Sequence, residues 1–199
     1  TPAGTRTVHP GDNITYRITP NSGYYISNVR VDNVSVGSPS SYTFSNVSSN
    51  HVISATFGIN GYTITAGAGA GGSVTPSGSV GVSHGSDITF SITPSTGYSV
   101  ADVRIDNVSA GSVTSYTFRD VTENHSLYAT FSAREFRISA SAGTGGSITP
   151  SGTRNINFGS QATFTITPGT GYRILDVRVD GSSVGAVSTY TFSNVESDH

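Results

Sequence analysis

The chain has 199 residues, 34% of them hydrophobic and only 11% charged, with a formal charge of −2, where a typical domain is about 25% charged. Lys is absent and the ten Arg are scattered, which gives no reason to expect nucleic acid or an anionic lipid surface as partner, since both need clustered positive charge. Cys is absent too, which excludes disulfides, thiolate metal sites and cysteine nucleophiles. No apolar run approaches the roughly 18 residues of a membrane span. The chain starts at Thr1 without Met and shows no leader, as a processed or partial product does. Abundant Ser, Thr and Gly with no Met, Trp or Lys is the composition of an extracellular β-protein.

Self-similarity dominates the sequence. Ile18-Thr19-Pro20 returns as Ile92-Thr93-Pro94 and Ile166-Thr167-Pro168, in two steps of 74 residues. Thr1-Pro2 returns as Thr75-Pro76 and Thr149-Pro150, Gly23-Tyr24 as Gly97-Tyr98 and Gly171-Tyr172. Three copies result. Residues 1–57 hold the first, without an opening strand; 62–131 the complete second; 136–199 the third, without a closing strand.

The second copy gives the elements in order. Tyr62–Ala66 alternates, with Tyr62, Ile64 and Ala66 on one face, as a half-buried strand does. Gly67, Gly69 and Gly72 then satisfy G-x-G-x-x-G. A nucleotide loop needs a helix next, but Ser73-Val74-Thr75-Pro76 follows, and the third copy breaks the spacing, with Ile148 where the last glycine of the pattern should be. A flexible or bulged strand end is the simpler reading. Asp87–Thr93 is the next strand, with Ile88, Phe90 and Ile92 inward. Val103-Arg104-Ile105 follows, ending at Asp106-Asn107; the third copy has Asp180-Gly181 there, a strong hairpin signal because both residues tolerate positive φ. Arg30, Arg104 and Arg178 face outward, suited to a cross-strand ion pair. After Tyr116–Phe118, a turn of 3₁₀ helix is expected around Val47, Val121 and Val195, with these valines pinned in the core. Leu127, Ala129 and Phe131 mark the closing strand. Each repeat thus reads as five to seven short strands. The fold class is all-β, a tandem array of small antiparallel modules with a 74-residue repeat, sandwich-like or β-grasp-like.

These residues resemble a known family. Gly72-Ser73-Val74-Thr75-Pro76-Ser77-Gly78, Ile92-Thr93-Pro94, Gly97-Tyr98, Val103-Arg104-Ile105-Asp106, Tyr116-Thr117-Phe118, Asn124-His125 and Ala129-Thr130-Phe131 are similar to the divergent internalin-B-type repeat of bacterial and archaeal surface proteins. The resemblance covers the whole chain. It implies an extracellular β-rich module of stalks and adhesins, distantly like a β-grasp repeat, with no active site.

The candidate chemistry is weak. His51, His125 and His199 are equivalent, one per copy, which is a turn residue rather than a metal cluster. Asp102 with Asp106, and Asp176 with Asp180, could pair as glycosidase carboxylates, but Asn28 replaces the first in copy one, and Asp32, Asp106 and Asp180 open a turn in every copy. No G-x-S-x-G elbow stands between a strand and a helix. The copies differ by bland exchanges, whereas a catalytic site needs unlike residues that one copy has and the others lack. The expectation is therefore no catalytic residue, no cofactor and no metal site. The expected role is a non-enzymatic extracellular or cell-surface stalk or filament of stacked modules. The alternative is an adhesin or carbohydrate-binding module, with exposed Tyr25 or Tyr128 stacking on a sugar. The expected partners are other copies of the repeat, head to tail through strand edges left unpaired, or a surface glycan or protein ligand.

Overall fold

The structure, a computed structural model, describes residues 4–199; Thr1-Pro2 lies outside the described residues. No helix occurs among them. The first repeat supplies β1 (Ile14–Arg17), β2 (Tyr24–Val31), β3 (Val34–Ser35), β4 (Ser41–Phe44) and β5 (Ile53–Ile59). The second runs through β6 (Gly61–Ala68), β7 (Gly72–Thr75), β8 (Gly78–Ser83), β9 (Ile88–Pro94), β10 (Tyr98–Ile105), β11 (Val108–Ser109), β12 (Ser115–Phe118) and β13 (His125–Ala133). The third has β14 (Glu135–Ala140), β15 (Gly146–Thr149), β16 (Gly152–Asn157), β17 (Ala162–Pro168), β18 (Val177–Val179), β19 (Ser182–Gly185) and β20 (Thr189–Phe192).

The complete second repeat has one sheet in the order β11-β10-β13-β6-β8 and another in the order β12-β9-β7. That makes eight strands where the sequence suggested five to seven. The extra ones, β7, β8 and β11, are short and hide among the Gly, Pro and Ser that read as breakers. In the third repeat, Phe136, Ile138, Ala140 and Ile156 from the sheet β14-β16 pack with Ile148, Ala162, Phe164 and Phe192 from the sheet β15-β17-β20. Two sheets facing across an apolar layer are the sandwich-like alternative; a β-grasp's helix has no counterpart here.

The chain forms two compact units, divided within its middle repeat. One unit holds the chain up to Thr65 with Ser77–Phe90 and Tyr116–Ser126. Its buried residues include Val29, Phe44, Ile64, Phe90, Phe118 and Val121. Phe90 meets Phe118 edge-on at 5.8 Å, the arrangement ring quadrupoles favour. The other unit holds Ala66–Pro76, Ser91–Ser115 and Leu127–His199. Ile92, Val103, Leu127, Ala129, Ile138 and Phe164 are buried in it, and Phe164 meets Phe192 edge-on at 6.0 Å. Of the inward residues read from alternation, Ile88, Ile105 and Phe131 are only half-buried.

The expected 3₁₀ turn does not form. Asn46, Asp120 and Asn194 take positive φ, 51°, 48° and 71°, a region a 3₁₀ helix cannot use. In the first repeat Asn13 Oδ1 accepts from the Asn46 amide (2.7 Å), and Val47 N–H donates to Asp12 O while Gly11 N–H donates to Val47 O. The loop's backbone is thus satisfied by the segment before β1, and local helical bonds are not needed. Val121 and Val195 are buried as expected, and Val47 is half-buried.

Within each unit lies one repeat boundary, and both boundaries are built alike. In the first, Asn60 N–H donates to Gly23 O (2.7 Å) and Asn60 O accepts from His84 N–H (2.8 Å). In the second, Arg134 N–H donates to Gly97 O (2.8 Å) and Arg134 O accepts from Phe158 N–H (2.8 Å). The ring of His84 lies on Gly23, and that of Phe158 on Gly97, so closely that a methyl group on either glycine would overlap it. Only glycine leaves room for this approach.

Candidate functional site

The residues singled out for chemistry gather around one hairpin per repeat. Asp32-Asn33, Asp106-Asn107 and Asp180-Gly181 all have positive φ, from 47° to 80°, and Val31 pairs Val34 across the first of them. Two left-handed residues between paired positions make the two-residue hairpin the sequence announces.

The first and third hairpins are each tied down by a histidine 19 residues further along. His51 Nδ1 donates to Asp32 Oδ2 (2.7 Å), and His199 Nδ1 to Asp180 Oδ2 (2.7 Å). Asp32 Oδ1 also accepts from Val52 N–H (2.8 Å). The His51 hydrogen bond, then that of Val52, holds the Asp32 carboxyl below the usual Asp value, because hydrogen bonds to a carboxylate favour its charged form. The imidazole of His51 stacks on Phe44 (5.0 Å between centroids) and that of His199 on Phe192 (4.6 Å), so the ring faces are engaged as well.

On the other side of two of these rings stands a serine. Ser49 Oγ is 3.4 Å from His51 Nε2, and Ser197 Oγ is 3.4 Å from His199 Nε2. The order Ser–His–Asp is that of a hydrolase triad. Three features make it a latch instead. The serine sits two residues before its histidine in the same exposed loop, the contact is at the outer limit of a hydrogen bond, and the middle repeat has Glu123 at that position. The sequence reading missed this cluster. Its signal is the fixed spacing of 19 between Asp32 and His51, Asp106 and His125, and Asp180 and His199.

Asp102 and Asp176 do not pair with Asp106 and Asp180 as carboxylate dyads; they brace the hairpin. Asp102 and Arg104, two residues apart in β10, share one face of the strand, just past a β-bulge between Val100 and Asp102. Ser109 Oγ donates to Asp102 Oδ1 (2.6 Å), and Arg104 Nε to Asp102 Oδ2 (3.3 Å). The third repeat repeats this with Ser183 and Arg178 on Asp176 (2.5 and 3.2 Å). The Ser109 bond first, with Arg104, lowers the Asp102 carboxyl, and Ser183 with Arg178 does the same for Asp176. The expected arginine pairs thus run along one strand, not across two, because residues two apart in a strand stand on the same face. In the first repeat Ser35 Oγ donates to Asn28 Oδ1 (2.6 Å), so the brace survives without its charge.

The glycines of the G-x-G-x-x-G match face aromatic rings. Tyr128 lies along Gly67 and Gly69, and a side chain on Gly72 would overlap Phe131. The pattern is a cover for rings, and it follows that the third repeat tolerates another spacing. Tyr25 and Tyr128 are about half exposed, 52% and 49%. Among the described residues no group of three His, Asp or Glu lies close enough to hold a metal ion. A groove of about 700 Å³ opens in the third repeat between Ile148, Phe164, Tyr172, Leu175 and Val177; the second repeat has β13 at that place.

Comparison with curated proteins and with solved structures brings no match. The divergent InlB B-repeat domain matches three times, at residues 1–61, 62–135 and 136–197. Its boundaries fall one residue into β6 and one residue into β14, beside the two joints described above. The chain belongs to the divergent InlB B-repeat family, as three consecutive repeats.

Proposed function

We propose that this chain is a non-enzymatic spacer of a bacterial surface or extracellular protein, a stalk or filament segment that repeats one module head to tail. The observation that carries the reading is the sameness of the two joints, each with one linker residue bonded on both sides and one ring on a glycine. The polar clusters support it too, since each holds a turn that every copy shares. Family membership favours a surface location. Other copies of the same repeat are the natural partners of such a joint. The test is small-angle scattering on chains with three, five and seven repeats. A spacer adds a constant length per repeat, whereas a particle whose largest dimension hardly grows refutes the reading. A second reading, a glycan-binding adhesin, draws on the half-exposed rings of Tyr25 and Tyr128. It is supported if a glycan-array signal disappears in Tyr128→Ala.

A further inference from the structure

The two joints differ in one chemical respect. Tyr62 and His84 in the first stand 5.9 Å apart at 49°. Phe136 and Phe158 in the second stand 6.3 Å apart, also at 49°. The geometry is the same, but one wedge is an imidazole and the other a phenyl ring. His84 Nδ1 is buried and has no hydrogen-bond partner. A neutral imidazole can carry its proton on Nε2 and leave Nδ1 a bare lone pair. An imidazolium has N–H at both nitrogens, so one donor and part of a positive charge would be sealed in without an acceptor.

Two groups that meet this ring, Tyr62 and Gly23, carry no negative charge. The strand side offers the Tyr62 phenol, and the turn beneath is Pro20-Asn21-Ser22-Gly23 followed by Tyr24 and Tyr25. The nearest carboxylate in sequence, Asp87, is already bonded to the Asp120 amide (2.9 Å) and to Arg119 (3.3 Å). We propose that the joint between the first and second repeats is acid-labile, with His84 as its trigger, while the joint at Phe158 is not. Protonation favours the state in which water reaches the ring, so acid shifts the first joint toward open. This does not rest on the spacer reading, because it concerns one wedge against the other within a single chain.

Amide hydrogen exchange by NMR on the whole chain tests it, with protection factors corrected for the intrinsic pH dependence of exchange. The reporters are the amides that close the joints, Asn60 and His84 against Arg134 and Phe158. From pH 7.5 to 5, protection at Asn60 and His84 falls severalfold and holds at Arg134 and Phe158. In His84→Phe, which copies the residue natural to the second joint, all four amides keep their protection. In Phe158→His the loss appears at Arg134 and at residue 158. Equal behaviour of the two joints in the unaltered chain, or an unchanged loss in His84→Phe, overturns the proposal.

Discussion

Strands β10 and β18 come from nearly the same sequence, yet β10 runs for eight residues and β18 for three. Tyr98–Ile105 is paired along its length by β13, from Tyr98↔Ala133 to Ile105↔Leu127. The corresponding stretch of the third repeat has only β19 beside it. Its residues show the consequence. Val103 is fully buried, but Val177 is half-buried and Leu175 is 77% exposed. Alternation and β-branching are present in both, so what differs is the cross-strand neighbour. Strand formation here is a property of the pair, in keeping with β-propensity measuring fit to a pleated, half-buried surface. Residues 4–9 teach the same lesson: they match β8 in sequence but form no strand.

Core substitutions sharpen this contrast most. Phe90→Ala and Phe164→Ala remove rings that are equally buried, at 0% and 3% exposure, and each should cost about 3–5 kcal/mol. Val103→Ala should cost about 2–3 kcal/mol, since two methyl groups leave a closed site. Val177→Ala should cost under about 1 kcal/mol, because its site is already open. Chemical unfolding of the four variants measures this. Equal losses at Val103 and Val177 would break the comparison.

A smaller effect separates the hairpins by pH. The carboxyls of Asp102 and Asp176 lie below the usual Asp value in the folded chain, so each braces its hairpin above pH about 4 and loses that contribution as pH falls through the lowered value. The first repeat has uncharged Asn28 at this position. Since Asp32 also titrates low in the turn of the first hairpin, the comparison is made within the second: between pH 5 and 2, amide protection of β10-β11 should drop less in Asp102→Asn than in the unaltered chain. An equal drop in the two would remove the role assigned to the Asp102 carboxylate.

Much of this architecture was legible in the sequence, because a repeat gives every signal three times. The register of 74, the hairpins at Asp32-Asn33 and its equivalents, and the inward set from Ile64 to Leu127 follow from period and turn chemistry alone. What was not legible depends on contacts far apart in the chain. The Asp102–Arg104 pair is an exception, since residues two apart share a strand face and the reading looked across strands instead. The strands β7 and β8 hide behind Gly72 and Gly78, whose role is clear only once Phe131 is seen against Gly72. The left-handed Asn46 and Asp120 replaced a helical turn because the segment before the neighbouring strand satisfies their loop. His51 looked like a turn residue, and it is one, but its bond to Asp32 needed the fold to bring them together.

The most direct test of the pairing account is to give the third repeat the neighbour that the second has. Residues 126–133 of this chain, Ser-Leu-Tyr-Ala-Thr-Phe-Ser-Ala, can be appended after His199, which already matches His125. Amide exchange is then compared with that of the unaltered chain. The account predicts that Arg173–Leu175 become protected to the level of Ser99–Ala101, with the rest of the third repeat unchanged. If those amides exchange as fast with the added segment as without it, the difference between β10 and β18 lies in their own residues, and the account is contradicted.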